Sequence, residues 1–176
     1  MKISPAFFVF LIVSFGRIID ERDKEKCELN KVITGHPVDV FINKIKNDGH
    51  EVDVILPDVS PEIHATQNQM QQLLLQFLEN AEDALIDGGK ITLKVETVRT
   101  EEDSYAVITL TDTGVGIPKE NINKIFQPFF TTKGKKGTGL GLMIATNIIS
   151  NIGGTIGVKT SPGEGTSIKV VLPQIN

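Results

Sequence analysis

Two glycine-rich stretches and one polar helix face hold most of the residues in this sequence that could do chemistry. The first stretch places Asp112 at the end of a predicted strand, and Gly114 and Gly116 follow it in alternation. A carboxylate there can accept a hydrogen bond from an exocyclic amine, and glycines let a flat ring lie close to the backbone. An ordinary Asx turn would give the same pattern, so this stretch alone does not identify a ligand.

The second stretch, residues 131–142, contains three lysines and no acidic residue, although the chain as a whole has a net charge of −4. It runs directly into a predicted helix, with Thr138 as a candidate N-cap. Backbone N–H groups at a helix N-terminus favour a bound anion, and lysines add charges suited to phosphate. A solvated, flexible loop is the alternative.

The third feature is a polar face on the predicted helix 67–86, formed by Gln76, Asn80, Asp83 and Asp87 beside an apolar stripe. An amide oxygen such as that of Asn80 suits a Mg²⁺ ion that keeps its waters and bridges phosphates. Asp83, one turn further on, could hydrogen-bond a nucleotide or its waters. A polar helix edge that is satisfied locally would have the same spacing.

Hydrophobic periodicity predicts the elements that position these residues. The predicted strands are 29–33, 52–56, 90–98, 104–111, 155–160 and 166–172, and the predicted helices are 38–46, 67–86 and 140–152, the second of them ended by Gly88 and Gly89. This order predicts an α+β fold, with a mixed sheet covered by helices on one face. The P-loop motif is absent, and Gly137, Gly139 and Gly141 are spaced G-x-G-x-G, which differs from the dinucleotide-binding fingerprint.

Composition narrows the possible classes further. A chain of 176 residues fits one domain with a short appendage, and 40% hydrophobic residues are enough for a packed core. With 18 basic and 22 acidic residues, the chain is a poor candidate for a general nucleic-acid binder. The single cysteine, Cys27, excludes an intrachain disulfide and a cysteine-based zinc cluster.

The N-terminus carries an apolar run, residues 6–13, which is about half the length needed to span a bilayer. Residues 17–26 after it are densely charged and offer no small-x-small cleavage site, which disfavours a signal peptide. We expect residues 1–28 to be a separate apolar and charged helical segment, and residues 29–176 to form the main domain of a cytoplasmic protein.

The order of the motifs is more specific than any one of them. Four motifs, in their order along the chain, resemble the N, G1, F and G2 boxes of the GHKL ATP-binding superfamily. They are Asn80-Ala-Glu-Asp-Ala84, Asp112-x-Gly-x-Gly116, Phe126-x-Pro-Phe-Phe130-Thr-Thr-Lys133 and Gly137-Thr-Gly-Leu-Gly-Leu142. The chain is most similar, over about residues 29–172, to the catalytic domain of two-component sensor histidine kinases of the nitrogen-regulation class. The resemblance implies a Bergerat-type two-layer α/β sandwich with a mostly antiparallel sheet and a mobile ATP lid, and it makes residues 1–28 a linker or the remnant of a dimerisation helix.

The resemblance also implies a role for each matching residue. Asn80 would coordinate Mg²⁺, Asp112 would bind the adenine amine, and Lys133 would meet the terminal phosphates, which makes Asn80 and Lys133 the catalytic pair. Phe126, Phe129 and Phe130 would anchor the lid. The remaining nucleotide contacts would come from Asp83, Gly114, Gly116, Ile117, Gly137, Thr138, Gly139, Leu140, Gly141, Leu142 and Thr166.

Two departures from the superfamily pattern refine the functional prediction. ATP-hydrolysing members carry a glutamate four residues before the metal-binding asparagine, and here that residue is Gln76, which disfavours a gyrase-like or chaperone-like ATPase. The phosphoacceptor H box is also missing, because none of His36, His50 and His64 has its pattern. We expect all three histidines to lie at the surface, His50 in a turn and His64 in a loop.

The resemblance therefore predicts a domain that binds Mg²⁺·ATP and donates the γ-phosphate to a histidine of a separate dimerisation domain. That domain would be supplied in cis or in trans, and a response regulator would receive the phosphate indirectly. We expect no nucleic-acid partner and no membrane span. A GHKL protein-serine kinase of the anti-sigma type and a non-catalytic nucleotide-sensing module are the alternatives.

Overall fold

A computed structural model describes residues 8–9, 25–132 and 137–175. Within these ranges the chain forms eight strands, four α-helices and one 3-10 helix. In chain order they are β1 (Phe8–Val9), β2 (Lys26–Glu28), α1 (Leu29–Thr34), α2 (Val38–Asn47), β3 (Glu51–Ile55), β4 (Glu62–His64), α3 (Gln67–Ala84), β5 (Lys90–Arg99), β6 (Ser104–Asp112), the 3-10 helix (Lys119–Lys124), α4 (Gly141–Ile152), β7 (Thr155–Ser161) and β8 (Gly165–Pro173).

The main sheet has six strands in the order β1-β7-β8-β6-β5-β3. Only the β3–β5 pair is parallel among the strands that the structure describes, and β2 and β4 form a separate antiparallel pair. Apolar residues from the sheet and from all four α-helices share one buried core. The predicted α+β fold, a mostly antiparallel sheet covered by helices, is confirmed.

Strand alternation decides where Asp112 points. In β6, Ala106, Ile108 and Leu110 are all buried against the helices. Successive side chains of a strand face opposite sides, so every second residue shares a face. Asp112 continues that register and is only 5% exposed. The strand therefore delivers a carboxylate to the edge of the core.

Helix α3 carries the polar face beside a fully apolar one. Thr66 forms a capping box with Gln69, in which the Gln69 N–H donates to Thr66 Oγ1 at 3.1 Å and the Thr66 N–H donates to Gln69 Oε1 at 2.9 Å. The buried stripe contains Met70, Leu73, Leu74, Phe77, Leu78 and Ala81. Burying this stripe fixes the rotation of the helix, and the rotation fixes where its polar face lies.

The end of α3 differs from the prediction that Gly88 and Gly89 terminate it. The helix ends at Ala84, and Leu85 is already extended. The Ala84 carbonyl accepts a hydrogen bond from the Val115 N–H at 2.9 Å, so a tertiary partner satisfies the last turn. The helix stops where it meets the loop after β6.

Several short elements were predicted wrongly. Residues 29–33 form helix α1 rather than a strand, with Leu29, Val32 and Ile33 buried at helical spacing. His64 lies in β4 rather than in a loop, because this short strand pairs with β2. Apolar runs of three to six residues do not distinguish a strand from a helix by periodicity.

The N-terminal segment that we expected to be helical contributes strand residues where the structure describes it. Phe8–Val9 pairs antiparallel with β7, and Lys26–Glu28 pairs with β4. The remainder of residues 1–24 lies outside the described ranges. No helix in those ranges is long and apolar enough to cross a membrane.

Candidate functional site

A cleft of about 530 Å³ opens between α3, the loop after β6 and the residues that lead into α4. Cavities of this size hold small ligands and cofactors. Of the predicted site residues, those that line it are Asn80, Asp83, Asp112, Gly116, Ile117, Gly137, Thr138, Gly139, Gly141, Leu142 and Thr166. Gly114 and Leu140 lie outside the lining, and Lys133 lies outside the described residues, so its predicted contact with phosphates stays a prediction.

Asp112 forms the polar floor of the cleft. Its Oδ1 accepts hydrogen bonds from the Gly114 N–H at 2.8 Å and from the Thr166 N–H at 3.2 Å. In the described part of the chain both hydrogen bonds to this carboxylate go to Oδ1, which leaves Oδ2 for another donor. Burial raises the pKa of the Asp112 carboxyl, and the two backbone N–H groups oppose that rise.

A buried hydroxyl pair lies beneath this floor. Thr160 and Thr166 face each other across the β7–β8 hairpin, and their Oγ1 atoms are 3.0 Å apart. Thr160 Oγ1 also accepts a hydrogen bond from the Ile117 N–H at 2.9 Å. Thr160 was not among the predicted site residues, although it ends the predicted strand 155–160 and pairs here with Thr166 at the start of the next.

The glycines after Asp112 are required by close backbone packing. A Cβ at Gly114 would clash with the Ala84 carbonyl at the end of α3, and one at Gly116 would clash with the Ser161 carbonyl. Gly116 also has a φ of +69°, which disfavours other residues. These two contacts hold the loop between α3 and the β7–β8 turn, and only Gly116 of the pair lines the cleft.

The polar face of α3 forms the opposite wall. Asn80 and Asp83 line the cleft together with Gln76 and Glu79, and Gln76 Nε2 donates to Glu79 Oε2 at 3.3 Å. Glu79 was not predicted, because it was not part of the polar spacing from which the face was identified. A Cβ at Gly141 would clash with Gln76 Oε1, so the start of α4 packs directly on this wall.

Helix α4 begins without the cap that we predicted at Thr138. Its N-cap is Leu140, whose side chain has no hydrogen-bond acceptor, and Thr138 Oγ1 receives only a 3.4 Å hydrogen bond from the Leu140 N–H. The left-handed Gly139, with a φ of +67°, separates Thr138 from the first helical turn. The first-turn N–H groups of a 12-residue helix therefore begin beside the cleft.

Phe129 and Gly139 join the two ends of the loop that contains residues 133–136. The Phe129 N–H donates to the Gly139 carbonyl at 2.9 Å, and a Cβ at Gly139 would clash with the Phe129 backbone. Phe130 lines the cleft and Phe126 packs against the core. The Phe129 side chain is 75% exposed, and its described contact is made by the backbone, so its role as a lid anchor stays a prediction.

The described residues offer neither a histidine in the cleft lining nor a preformed metal cluster. His36 is exposed, His50 and His64 are half-buried, and none of the three lines the cleft. No group of three or more His, Cys, Asp or Glu side chains in the described ranges could hold a metal ion. An ion in this cleft would need an amide or carboxylate oxygen together with oxygens from phosphate or water.

Comparison with known proteins identifies relatives over most of the chain. The family described as histidine kinase-, DNA gyrase B-, and HSP90-like ATPase matches residues 65–176. Sporulation kinase A of Bacillus subtilis (strain 168) is 41% identical over 112 residues, which are 64% of this chain and 18% of that protein. Sporulation kinase E of the same organism is 34% identical over 172 residues, which are 98% of this chain and 22% of that protein. The chain thus spans about a fifth of the length of these two relatives.

Solved structures share the fold. The nucleotide-free catalytic domain of histidine kinase ThkA superposes with a TM-score of 0.73 at 29% identity, covering 86% of this chain and 96% of that one. The mycobacterial sensor histidine kinase MprB gives a TM-score of 0.72 at 23% identity, covering 86% of this chain and 98% of that one. The described architecture is therefore that of histidine kinase catalytic domains.

Proposed function

Since the chain belongs to the histidine kinase-, DNA gyrase B- and HSP90-like ATPase family, we propose that it binds Mg²⁺·ATP in the cleft and donates the γ-phosphate to a histidine of a separate dimerisation domain. ATP binding is the property of the family, whereas the ion, the acceptor and the roles of single residues belong to the proposal. The expected resemblance to the GHKL superfamily is confirmed, and the nitrogen-regulation subclass stays a prediction.

The buried carboxylate of Asp112 is the observation that carries the proposal. A carboxylate with Oδ1 engaged by two backbone N–H groups is held in one orientation, which directs Oδ2 to a donor in the cleft. The exocyclic amine of adenine is such a donor, and a hydrogen bond to a charged acceptor is worth about 1.5–3 kcal/mol. Thr166 and Ile117, beside it, would complete the base pocket.

The triphosphate would extend from the base pocket toward α3 and the start of α4. Asn80 would hold Mg²⁺ through its amide oxygen, with phosphate oxygens and water as the other ligands, and the ion would neutralise developing negative charge. The first-turn N–H groups of α4 and the backbone of Gly137 and Gly139 would face the phosphates. Lys133, which matches the lysine at the end of the family's F box, would add a positive charge near the terminal phosphates.

The cleft contains groups that would position a nucleotide, and no histidine is among its described lining residues. Phosphoryl transfer depends mostly on positioning and charge neutralisation, so a phosphate-donating domain needs little else. Gln76 cannot act as a general base on water, which favours transfer over hydrolysis. In the proposed step, an imidazole nitrogen of the partner domain attacks the γ-phosphorus in line, and ADP is the leaving group.

The partner is a dimerisation domain that carries the acceptor histidine, in cis or in trans. The matched relatives are sporulation kinases several times longer than this chain, which supports a multidomain context. A response regulator would then take the phosphate from the histidine. Because ATP is the phosphate donor, we place this chemistry in the cytoplasm.

The test is transfer of labelled γ-phosphate to an added dimerisation domain taken from sporulation kinase E, the relative that aligns over 98% of this chain. We expect label on that domain, lost in acid and retained in base, as phosphohistidine requires. The same reaction with the Asp112→Asn variant is the control, and we expect it to label the acceptor much less at an ATP concentration near the wild-type Kd.

Acid-stable label on the acceptor would instead indicate a serine kinase of the anti-sigma type. Absence of label on any supplied dimerisation domain, with ATP bound normally, would contradict phosphotransfer and favour a nucleotide-sensing module.

A further inference from the structure

Thr160 is a buried polar residue for which the proposed function has no direct use. It is 5% exposed, and it does not line the cleft. Asp112 and Thr166 are the other polar side chains buried to this degree in the described ranges, and both line the cleft. Because a buried hydroxyl is unfavourable without partners, the partners of Thr160 indicate its role.

The Thr160 hydroxyl has three partners and one proton. It accepts a hydrogen bond from the Ile117 N–H at 2.9 Å, donates to the Gly165 carbonyl at 3.0 Å, and lies 3.0 Å from Thr166 Oγ1. A carbonyl can only accept, so the contact with Gly165 uses the one Thr160 proton. All three contacts are satisfied together only when Thr166 donates to Thr160, which turns the Thr166 proton away from the cleft.

This arrangement fixes which groups the cleft floor presents. With its proton turned toward Thr160, the Thr166 hydroxyl presents lone pairs to the cleft that it lines. Asp112 is paired with Thr166 across β6 and β8, and its Oδ2 is a second acceptor. The two side by side form a floor that accepts hydrogen bonds.

We propose that Thr160 is a positioning residue for base selection, because it orients the Thr166 hydroxyl and the Ile117 backbone so that the floor selects an amino group over a carbonyl oxygen. The inference rests on the proposed function, since it concerns the base of the nucleotide in the same cleft. A 6-aminopurine presents hydrogen-bond donors to this floor. At position 6 a 6-oxopurine presents only lone pairs, which face two acceptors there and leave buried polar groups without partners.

Loss of the Thr160 hydroxyl should therefore change selectivity as well as affinity. Without it, the Thr166 proton can turn into the cleft and donate to a carbonyl oxygen. The Ile117 N–H loses its acceptor at the same time, so the loop beside the base is held less firmly. Both effects penalise the amino ligand more than the oxo ligand.

The experiment measures the affinities of the full chain for ATP and for inosine triphosphate, which carries a carbonyl oxygen at position 6. Wild-type protein should prefer ATP. Thr160→Val should weaken ATP binding about 5- to 10-fold, the effect of one lost hydrogen bond, and change inosine triphosphate binding less than about 2-fold. Thr160→Ser, which keeps the hydroxyl, should restore the preference.

Thr111→Val is the matched control. Thr111 forms a hydroxyl pair with Ser167 at 2.8 Å between β6 and β8, but on the exposed face of the sheet. Its loss should leave both affinities unchanged. If Thr160→Val does not fold, Thr160→Ala, which leaves room for a water molecule, is measured with the same two ligands.

The outcomes separate this inference from the proposed function. Wild-type protein that binds neither nucleotide would contradict the proposed function. If wild-type protein prefers ATP and the valine or alanine variant keeps the same preference, the role of Thr160 is overturned and the proposed function is not. Equal loss of both ligands in the variant would show a purely structural hydroxyl and overturn it too.

Discussion

The Asp112 carboxylate reaches the cleft because β6 alternates, and the same alternation buries it. Its pKa is raised from 3.8 mainly by burial, which means that the folded state binds a proton at this site more tightly than the unfolded state. Ionised Asp112 therefore destabilises the empty domain at neutral pH. Under the proposed function the bound amine compensates for that desolvated charge, so the residue favours binding at the expense of stability.

Asp112→Asn separates these two effects. We expect ATP affinity to fall about 10- to 100-fold, because an amide replaces the charged acceptor of the adenine amine. Titration calorimetry measures the loss. Asp53→Asn, which removes a carboxylate from an exposed ion pair with Lys90 on β5, is the matched control and should bind as wild type does.

The same variant should alter the pH dependence of stability. At neutral pH, Asp112→Asn should unfold at the same temperature as wild type or higher, since the buried charge is gone. As the pH falls through the raised pKa, Asp112 takes up a proton in the folded state and the difference should shrink, reaching its minimum below the unfolded value of 3.8. A variant advantage that grows toward acid would contradict the assigned environment.

Asn80 lies on the wall opposite Asp112, where an amide oxygen can serve as a metal ligand. We expect Asn80→Ala to abolish the part of ATP affinity that depends on Mg²⁺, while binding without the ion changes little. Titrations with Mg²⁺ and with a chelator measure both quantities. A variant whose Mg²⁺ dependence equals that of wild type would remove Asn80 from the proposed ion site.

At the scale of elements, Phe129 and Gly139, which lie on either side of residues 133–136, are joined by a backbone hydrogen bond and a close backbone contact. Phe129 itself has a φ of +64°, which is unusual for a residue other than glycine. Strained backbone of this kind persists where the surrounding contacts hold it. The pairing with Gly139 is such a contact, and it sets the spacing of the two loop ends at the mouth of the cleft.

Gly139→Ala tests this closure. The added Cβ would clash with the Phe129 backbone, so we expect the loop ends to separate, with faster proteolysis of the loop and weaker nucleotide binding. Gly163→Ala is the matched control, because Gly163 has a similar φ of +78° and open space around its Cβ position. Both variants should lose about 1 kcal/mol of stability from the left-handed backbone, and only Gly139→Ala should change the loop. Identical behaviour of the two would contradict the closure.

The elements that the sequence predicted correctly are those with several periods of pattern. Helices α2, α3 and α4 and strands β3, β5, β6, β7 and β8 were each expected at nearly their observed positions. The short β2, α1 and β4 were not, because their patterns are too brief, and the conformation of β2 and β4 depends on their pairing with each other. The early end of α3 at Ala84 likewise depends on a hydrogen bond from Val115, 31 residues further on.

The candidate site shows the same division. Asp112, Asn80 and the glycines were recognisable because each lies in a local motif with its own chemistry. Thr160 has no such motif, and its position under the cleft follows from strand pairing. The packing of Gly114 against Ala84 follows from the three-dimensional course of the chain, so the sequence indicated a glycine requirement and not its cause.

At the scale of the whole molecule, a single buried core joins the sheet to the four helices of the described ranges. Strand β2 lies just before residue 29, where we expected the domain to start. Its Cys27 belongs to that core, and the strand pairs with β4. The cleft lies where α3, α4 and the ends of β6 and β8 meet. The proposed contacts with base, ion and phosphates would therefore all come from elements of one packing unit. Under the proposed function such a unit would bind nucleotide without its partner, whereas transfer would require the partner's histidine.

The most direct measurement is a crystal structure of the chain with Mg²⁺ and a non-hydrolysable ATP analogue. We predict electron density for the purine against Asp112 and Thr166, with its amino group within hydrogen-bond distance of Asp112 Oδ2. The ion should lie next to Asn80 and the phosphates next to residues 137–141. A purine bound elsewhere, or a cleft that excludes the analogue at saturating concentration, would contradict the nucleotide site on which the proposed phosphotransfer depends.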